Sequence, residues 1–356
     1  MGLRGFILRR LVYSVILILL VIVVNFMIFK AMPGDPAAYL MPEFQIGMRE
    51  EERNAQEAIL REVWGLNDSL PIQLAKYVRN LATFNFGTAI VDKRLVSDVM
   101  REKIPYTALL LGGSTLVSIL LGVFLGILAI QRRGGAFDTF SVLGSLITGA
   151  LPTFWMGMVF LFMFFTTLGW FPNAGAFPRE WAGGNWPKPF SLAYSLQPSA
   201  LSIQLGIVLP EFLNLVGGFV KHLFLPLTTL VLFNFGSWLL LTRATMIETI
   251  TEDYVLTARA KGVGETAILL RHALKNASLP IITSAALSFG FVLSGAIITE
   301  TVYTYPGVGG WTFFAIGVRD VIVLMAIFYV ISICVIIANI IADLLYGILD
   351  PRIKIG

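Results

Sequence analysis

Two histidines, His222 and His272, one cysteine, Cys334, and a scatter of hydroxyls are the groups from which catalysis or metal binding would have to be assembled. They are not spaced for it. There is no H-E-x-x-H motif, and neither histidine sits in an apolar run with a carboxylate nearby in sequence. A single cysteine can form neither a disulfide within one chain nor a cysteine-based metal centre. No glycine is followed by lysine, so the phosphate-cradling G-x-x-x-x-G-K-[ST] loop is absent and the chain does not bind ATP in that way. Ser294, in FVLSGAII, has glycine neighbours but no identifiable base to activate it. No catalytic residue and no metal ligand is assigned.

The remaining polar groups inside apolar runs are uncharged. Asn25, Asn234, Ser237, Ser284 and Ser288 are candidate lining residues of a passage, together with Ser114, Thr115, Ser118, Thr283 and Asn339. Each also has a plainer reading as a helix-contact residue, and Gly122 with Gly126 forms one G-x-x-x-G packing signal. Proton and ion relays place acids and bases inside the bilayer, which these runs almost lack, so an ion-coupled carrier is disfavoured.

One polar interval stands out between the apolar runs, Arg243 to Pro280. It reads as two amphipathic helices joined at Gly262. In the first, Ile247, Ile250 and Tyr254 recur at helical spacing, with Glu248, Glu252 and Asp253 toward its start and Arg259 and Lys261 in its last turn. That order suits the helix dipole, and glycine supplies the left-handed residue that ends such a helix. The second opens near Glu265, gathers Arg271, His272 and Lys275 toward its end, and is expected to stop before Pro280.

These residues must be positioned by a membrane protein. The chain has 356 residues, 56% of them hydrophobic and 13% charged, against about 25% charged for a soluble domain. Its mean hydropathy is +0.80. The net charge of +4 marks loops rather than nucleic-acid binding, because basic residues concentrate in cytoplasmic loops of membrane proteins. The predicted fold is all-α and polytopic, with six spans near 11–29, 107–130, 139–165, 223–242, 279–299 and 321–345. Arg4, Arg9 and Arg10 put the N-terminus in the cytoplasm, and Arg352 and Lys354 do the same for the tail.

The organisation follows from those spans. Residues 1–30 are an N-terminal tail and first span, 31–106 an external helical subdomain opened by the turn Pro33-Gly34-Asp35-Pro36, and 107–356 a core with five spans. Within 31–106, Leu74, Tyr77, Val78 and Leu81 form an amphipathic face. Residues 201–220 are apolar but interrupted by Pro210 and Glu211. Counting them as a span would put Arg243 to Pro280 outside, so 176–220 is read as an external insert with an interfacial helix and 243–280 as a cytoplasmic loop.

The stretch EDYVLTARAKGVGETAILLRHALKNASLP resembles the permease subunits of ATP-binding-cassette importers, in the oligopeptide, dipeptide and nickel branch. Asp253, Tyr254, Thr257, Ala258, Arg259, Ala260, Lys261 and Gly262 match that branch's D-Y-x-x-T-A-R-A-K-G core. Arg271, His272, Leu274, Lys275, Asn276 and Pro280 match its second half. FILRRL, PGDPA at 33–37, LGWFPNAG at 168–175, ETVYTYPGVGG at 300–310 and DLLYGILDPRI at 343–353 follow in the family's order. The insert at 176–220 is longer than expected for a typical peptide permease, and oligosaccharide importers share the architecture. Trp181 and Trp186 within it could stack on sugars or anchor at the interface.

The resemblance implies a multi-pass subunit of the cytoplasmic membrane whose 243–280 loop couples to ATPases. Its partners would be a second, homologous permease, two cytoplasmic ATPase subunits that carry ATP and magnesium, an external solute-binding protein and the lipid bilayer, with no nucleic acid. The chain itself would hold no cofactor and would not be an enzyme. Its solute would be an oligopeptide or dipeptide, with oligosaccharide as the alternative. A secondary carrier and an intramembrane enzyme are the rival classes.

Overall fold

The computed structural model describes residues 3–31, 49–63, 67–178, 201–292 and 295–349. The 33–36 turn, Trp181, Trp186, Ser294 and the tail from Asp350 lie outside the described residues. Among the described residues the regular structure is helical, with a single isolated bridge between Thr88 and Leu95.

Helix α1 is Leu3–Ala31, α2 is Glu50–Val63 and α3 is Leu70–Ala82. Pro71 lies in the first turn of α3, where its missing N–H costs nothing, and Leu81, Tyr77 and Val78 turn toward the core as their spacing predicts. Helix α4, Val96–Gln131, begins eleven residues before the span expected from 107. Its first turns, with charged Asp98 to Lys103, fall in the stretch assigned to the external helical subdomain, and at 36 residues and about 1.5 Å per residue α4 is far longer than a bilayer core. Pro105 lies inside it and leaves unpaired the carbonyl of exposed Arg101, where the helix projects beyond the apolar stretch.

The span expected at 139–165 is not straight. Helix α5, Ala136–Ala150, and α6, Thr153–Phe160 continued by a π-helical turn Leu161–Thr167, meet at 97° around Leu151-Pro152. Proline lacks the N–H that would carry the ladder across this point.

Helix α7 runs from Leu201 to Thr249 as 49 residues. Residues 201–220 therefore extend the 223–242 span instead of forming the separate interfacial helix expected from Pro210 and Glu211. Its other end also overshoots the expected boundary: Ile247 is in its last turn and Ile250 follows it, so neither belongs to the first short helix of the polar unit.

After α8, Asp253–Ala260, a continuous helical run labelled α9 comprises Glu265–Ala267, a π-helical turn Ile268–Ala273 and Leu274–Gly290. Pro280 lies inside it, where a stop was expected; the carbonyl it leaves free is that of exposed Asn276. The helix ends at Gly290, and Gly295 has φ +80°, so the expected 279–299 span is interrupted. Helices α10, Ile297–Val302, and α11, Val308–Gly317, precede α12, Val321–Leu349. Among the described residues four helices are long and apolar enough to cross a membrane, and the bent α5–α6 pair makes up to five, where six spans were expected.

Paired residues give the directions. Gly113, Gly122 and Gly126 of α4 face Leu227, Trp238 and Thr242 of α7 in rising order, so these two helices run parallel. Gly122 has no room for a side chain: a Cβ there would meet the Phe235 carbonyl oxygen and the Trp238 side chain. The G-x-x-x-G signal thus corresponds to a real close approach. Helix α5 returns antiparallel to α7, with Ser145 against Gly236, and α1 runs antiparallel to α12, with Arg10 on Asp343 and Asn25 on Met325.

Two apolar clusters close the ends of the bundle. One joins Ile22, Leu81, Val96, Val308, Trp311 and Val323. The other joins Ile130, Met246, Leu269, Ala273 and Ala277, and it is on this second end that the polar unit sits.

Candidate functional site

The polar unit is built from local signals that each have a visible cause. Glu252 flanks α8 in extended backbone, and Asp253 occupies its first turn, where a negative charge favours the helix dipole. Arg259 lies in the last turn. The exit is a Schellman turn: Gly262, at φ +76°, donates its N–H to the Arg259 carbonyl at 2.9 Å, and Val263 donates to the Ala258 carbonyl at 3.2 Å. Val263 then packs on the buried trio Val255, Ala258 and Ile268.

A bidentate ion pair spans the turn. Arg259 Nε lies 2.7 Å from Glu265 Oε1, and its Nη2 lies 3.1 Å from Oε2. The guanidinium holds the Glu265 carboxyl below its ordinary value, while the carboxylate raises the Arg259 value. Both side chains are exposed, so the pair aligns the two helices more than it stabilises them.

Of the residues expected here, Asp253, Tyr254, Thr257, Arg259, Ala260, Lys261, Gly262, Arg271, His272, Asn276 and Pro280 are exposed. Ala258 is the exception: it is buried inside the unit and serves its packing. Leu256 and Leu270, which carried no signal as site residues, are exposed apolar side chains on the same unit. The surface therefore combines charge, apolar contact and a fixed turn, which is the chemistry of a protein-docking face.

Beside it lies a cavity of about 730 Å³ between the end of α7 and the middle of α9, lined among others by Thr245, Glu248, Thr249, Thr283 and Ser284. Thr283 and Ser284 are the candidate passage residues that line it. Ser288 is half-buried one turn further along α9, and Ser237 is exposed on α7. Asn234 donates to the Leu230 carbonyl of its own helix at 2.9 Å, and Asn25 donates to the Met325 carbonyl of α12 at 3.0 Å. Asn25 is thus buried in a helix contact, the plainer of its two readings.

Two arrangements escaped the sequence. Asp138 in the first turn of α5 accepts two hydrogen bonds from Arg243 of α7, and one from the Gly134 N–H at 3.0 Å. An acid just before one apolar run, and an arginine just after another, was the available signal. At the far end of the bundle, buried Glu300 accepts from Thr107 Oγ1 at 3.0 Å and from the Gly310 N–H at 2.9 Å. Gly307 and Gly309 press against its carboxylate, which explains the glycines of the PGVGG stretch. Burial pushes the Glu300 carboxyl up, and these hydrogen bonds partly offset that. Among the described residues no group of three or more His, Cys, Asp or Glu could hold a metal.

Residues 118–355 match the family described as binding-protein-dependent transport system inner membrane component, and residues 3–111 match its N-terminal companion. The oligopeptide transport system permease protein AppB of Bacillus subtilis is 31% identical over 98% of this chain and 99% of its own length. The di/tripeptide transport system permease protein DppB of Pseudomonas aeruginosa is 32% identical over 98% of each chain. The dipeptide transport system permease protein DppB of Alkalihalophilus pseudofirmus is 32% identical over 97% of this chain and 98% of its own.

Proposed function

The chain belongs to the binding-protein-dependent transport system inner membrane component family, and from that premise we propose that it is a permease subunit of an ATP-driven peptide importer. The relatives named above serve oligopeptide, di/tripeptide and dipeptide systems, and those names favour peptides over the oligosaccharide alternative. A second permease pairs with it, two ATPase subunits bind ATP and magnesium, and a solute-binding protein delivers peptide to the opposite face.

The observation that carries the reading is the continuity of the docking unit with the bundle. Helix α8 and the start of α9 are locked by the Gly262 turn and the Arg259–Glu265 pair, and α9 runs on without a break to Gly290. A displacement of the exposed turn is therefore carried along α9 instead of being absorbed by a loose loop. ATPase closure pulls this unit, and the α9 and α7 walls of the neighbouring cavity move with it. Arg132, Arg133, Arg243, Arg259, Lys261, Arg271 and Lys275 gather near this end, which by the positive-inside rule faces the cytoplasm together with both termini.

The test is uptake by the reconstituted assembly in proteoliposomes, with labelled tripeptide and labelled trisaccharide offered separately. Peptide accumulation that requires both ATP and the binding protein is expected. Sugar accumulation, or peptide uptake indifferent to ATP, would overturn the reading. For the orientation, a Cys334→Ser background with single cysteines at Asn54 or Lys261 is labelled in intact cells by an impermeant thiol reagent. Asn54→Cys should react and Lys261→Cys should not; the reverse would invert the topology.

A further inference from the structure

Where α1 and α12 leave their apolar stretches, a cavity of about 300 Å³ opens between them. Its lining is graded. Arg10, Tyr13, Asn339 and Asp343 stand at the mouth, and Leu17 and Ile336 lie deeper, toward the apolar centre of both helices. Arg10 Nη2 is 2.7 Å from Asp343 Oδ1, and both side chains retain exposure, 45% and 29%. The outer face of α1 is open along the same stretch, with Leu11, Val12, Tyr13, Val15 and Ile16 all exposed, as expected of a helix facing lipid.

A polar mouth at headgroup depth above an apolar floor is the inverse of a phospholipid. The mouth also discriminates among lipids. A cavity lined by arginine alone would select an anionic headgroup, but here a carboxylate lies beside the guanidinium and repels a second negative charge. The complement is a headgroup that carries a phosphate and a compact, hydrogen-bonding ammonium. Choline has the same charges but no N–H to donate and a bulkier cation.

We propose that this cavity binds an amine-bearing phospholipid, with phosphate on Arg10, ammonium on Asp343 and the first acyl methylenes along Leu17 and Ile336. The volume equals that of roughly ten waters, sufficient for a phosphoethanolamine group. The site does not depend on which solute is transported.

The assembled transporter is purified, stripped of lipid and exposed equally to phosphatidylethanolamine, phosphatidylglycerol and phosphatidylcholine of one acyl composition, and retained lipid is counted by native mass spectrometry. The wild type should retain phosphatidylethanolamine over the other two by about fivefold, the scale of a half-exposed ionic contact. Asp343→Asn should shift the preference to phosphatidylglycerol, and Arg10→Gln should lose retention of all three. Because Asp343→Asn reads selectivity rather than amount, it remains decisive even where Arg10→Gln fails to assemble. Equal retention of the three lipids, or a preference unmoved by Asp343→Asn, would overturn the proposal. Soluble phosphoethanolamine should not compete, since it lacks the acyl contact; effective competition would identify a soluble ligand instead. Retention that appears only after residues 350–356 are deleted would mean that the chain's own tail fills the cavity, and the lipid assignment would fall.

Discussion

Arg243, near the end of α7, closes on Asp138, in the first turn of α5, with Nε 2.7 Å from Oδ1 and Nη2 3.0 Å from Oδ2. The two residues are 105 positions apart. Their pairing ties α5, the return span, to α7, the helix that leads into the polar unit. Asp138 is buried and Arg243 is about a quarter exposed, which puts this pair between a surface bridge and a fully desolvated one.

Asp138→Ala leaves the Arg243 guanidinium half-buried and unpaired, and should lower stability by about 2–4 kcal/mol. Removing both charges, as Asp138→Ala with Arg243→Leu, should recover at least half of that loss. Thermal unfolding of the purified protein in detergent measures both. A single variant that melts with the wild type would reduce the pair to a surface contact.

Gly262→Val tests the turn. A Cβ at Gly262 would meet nothing within 4 Å, so the substitution acts only through the φ of +76°, which costs a branched residue about 1–2 kcal/mol. The variant should reach the membrane in normal amount but lose its ATPase on purification, or keep it with hydrolysis uncoupled from uptake. Gly262→Ala should be milder. Normal uptake by Gly262→Val would shift the docking argument to Asp253, Arg259 and Arg271.

The α4–α7 seam predicts a contrast between two glycines. Gly122→Val drives a side chain into the Phe235 carbonyl and Trp238, and should cost about 1–3 kcal/mol or prevent assembly. Gly144 in α5 has open space, so Gly144→Ala should be neutral or gain up to about 1 kcal/mol from helix propensity. Yield and melting temperature of the two variants, prepared in parallel, report this. Equal behaviour would mean that α4 and α7 do not meet at Gly122.

Glu300 predicts a pH dependence. Its folded value is raised above the ordinary 4.5, so its contribution is full below the unfolded value and is lost as pH rises through the folded one. Asp320, which accepts the Ile90 N–H at 2.7 Å and caps α12 through Val323, is also raised by burial and acts in the same sense. Melting temperature should fall from mildly acidic to neutral pH, and Glu300→Gln should flatten that slope without abolishing it, because Asp320 remains. A slope unchanged by Glu300→Gln would mean that Glu300 stays charged throughout.

The sequence by itself determined that the chain is helical and crosses a membrane, where α1 and α12 lie, and where α8 ends and α9 begins. These are local matters. Apolar length is counted along one segment, and the left-handed preference of Gly262 and the opening at Glu265 concern only a few neighbouring residues. The sequence misjudged features whose outcome depends on what stands opposite. Pro152 breaks its span by 97° whereas Pro280, where a stop was expected, is carried through α9. Residues 201–220 join α7 despite Pro210 and Glu211.

Only the tertiary structure decided which polar groups are partners. Thr107 and Glu300 lie 193 positions apart, and no periodicity connects them. Asn25 could have faced a passage or a helix until α12 was seen to cover it. Inside an apolar bundle a buried polar group must be satisfied by whatever packing brings within hydrogen-bond reach. That partner is set by helix direction and close approach, here the parallel α4–α7 seam and the antiparallel returns of α5 and α12, and neither is written in any one segment.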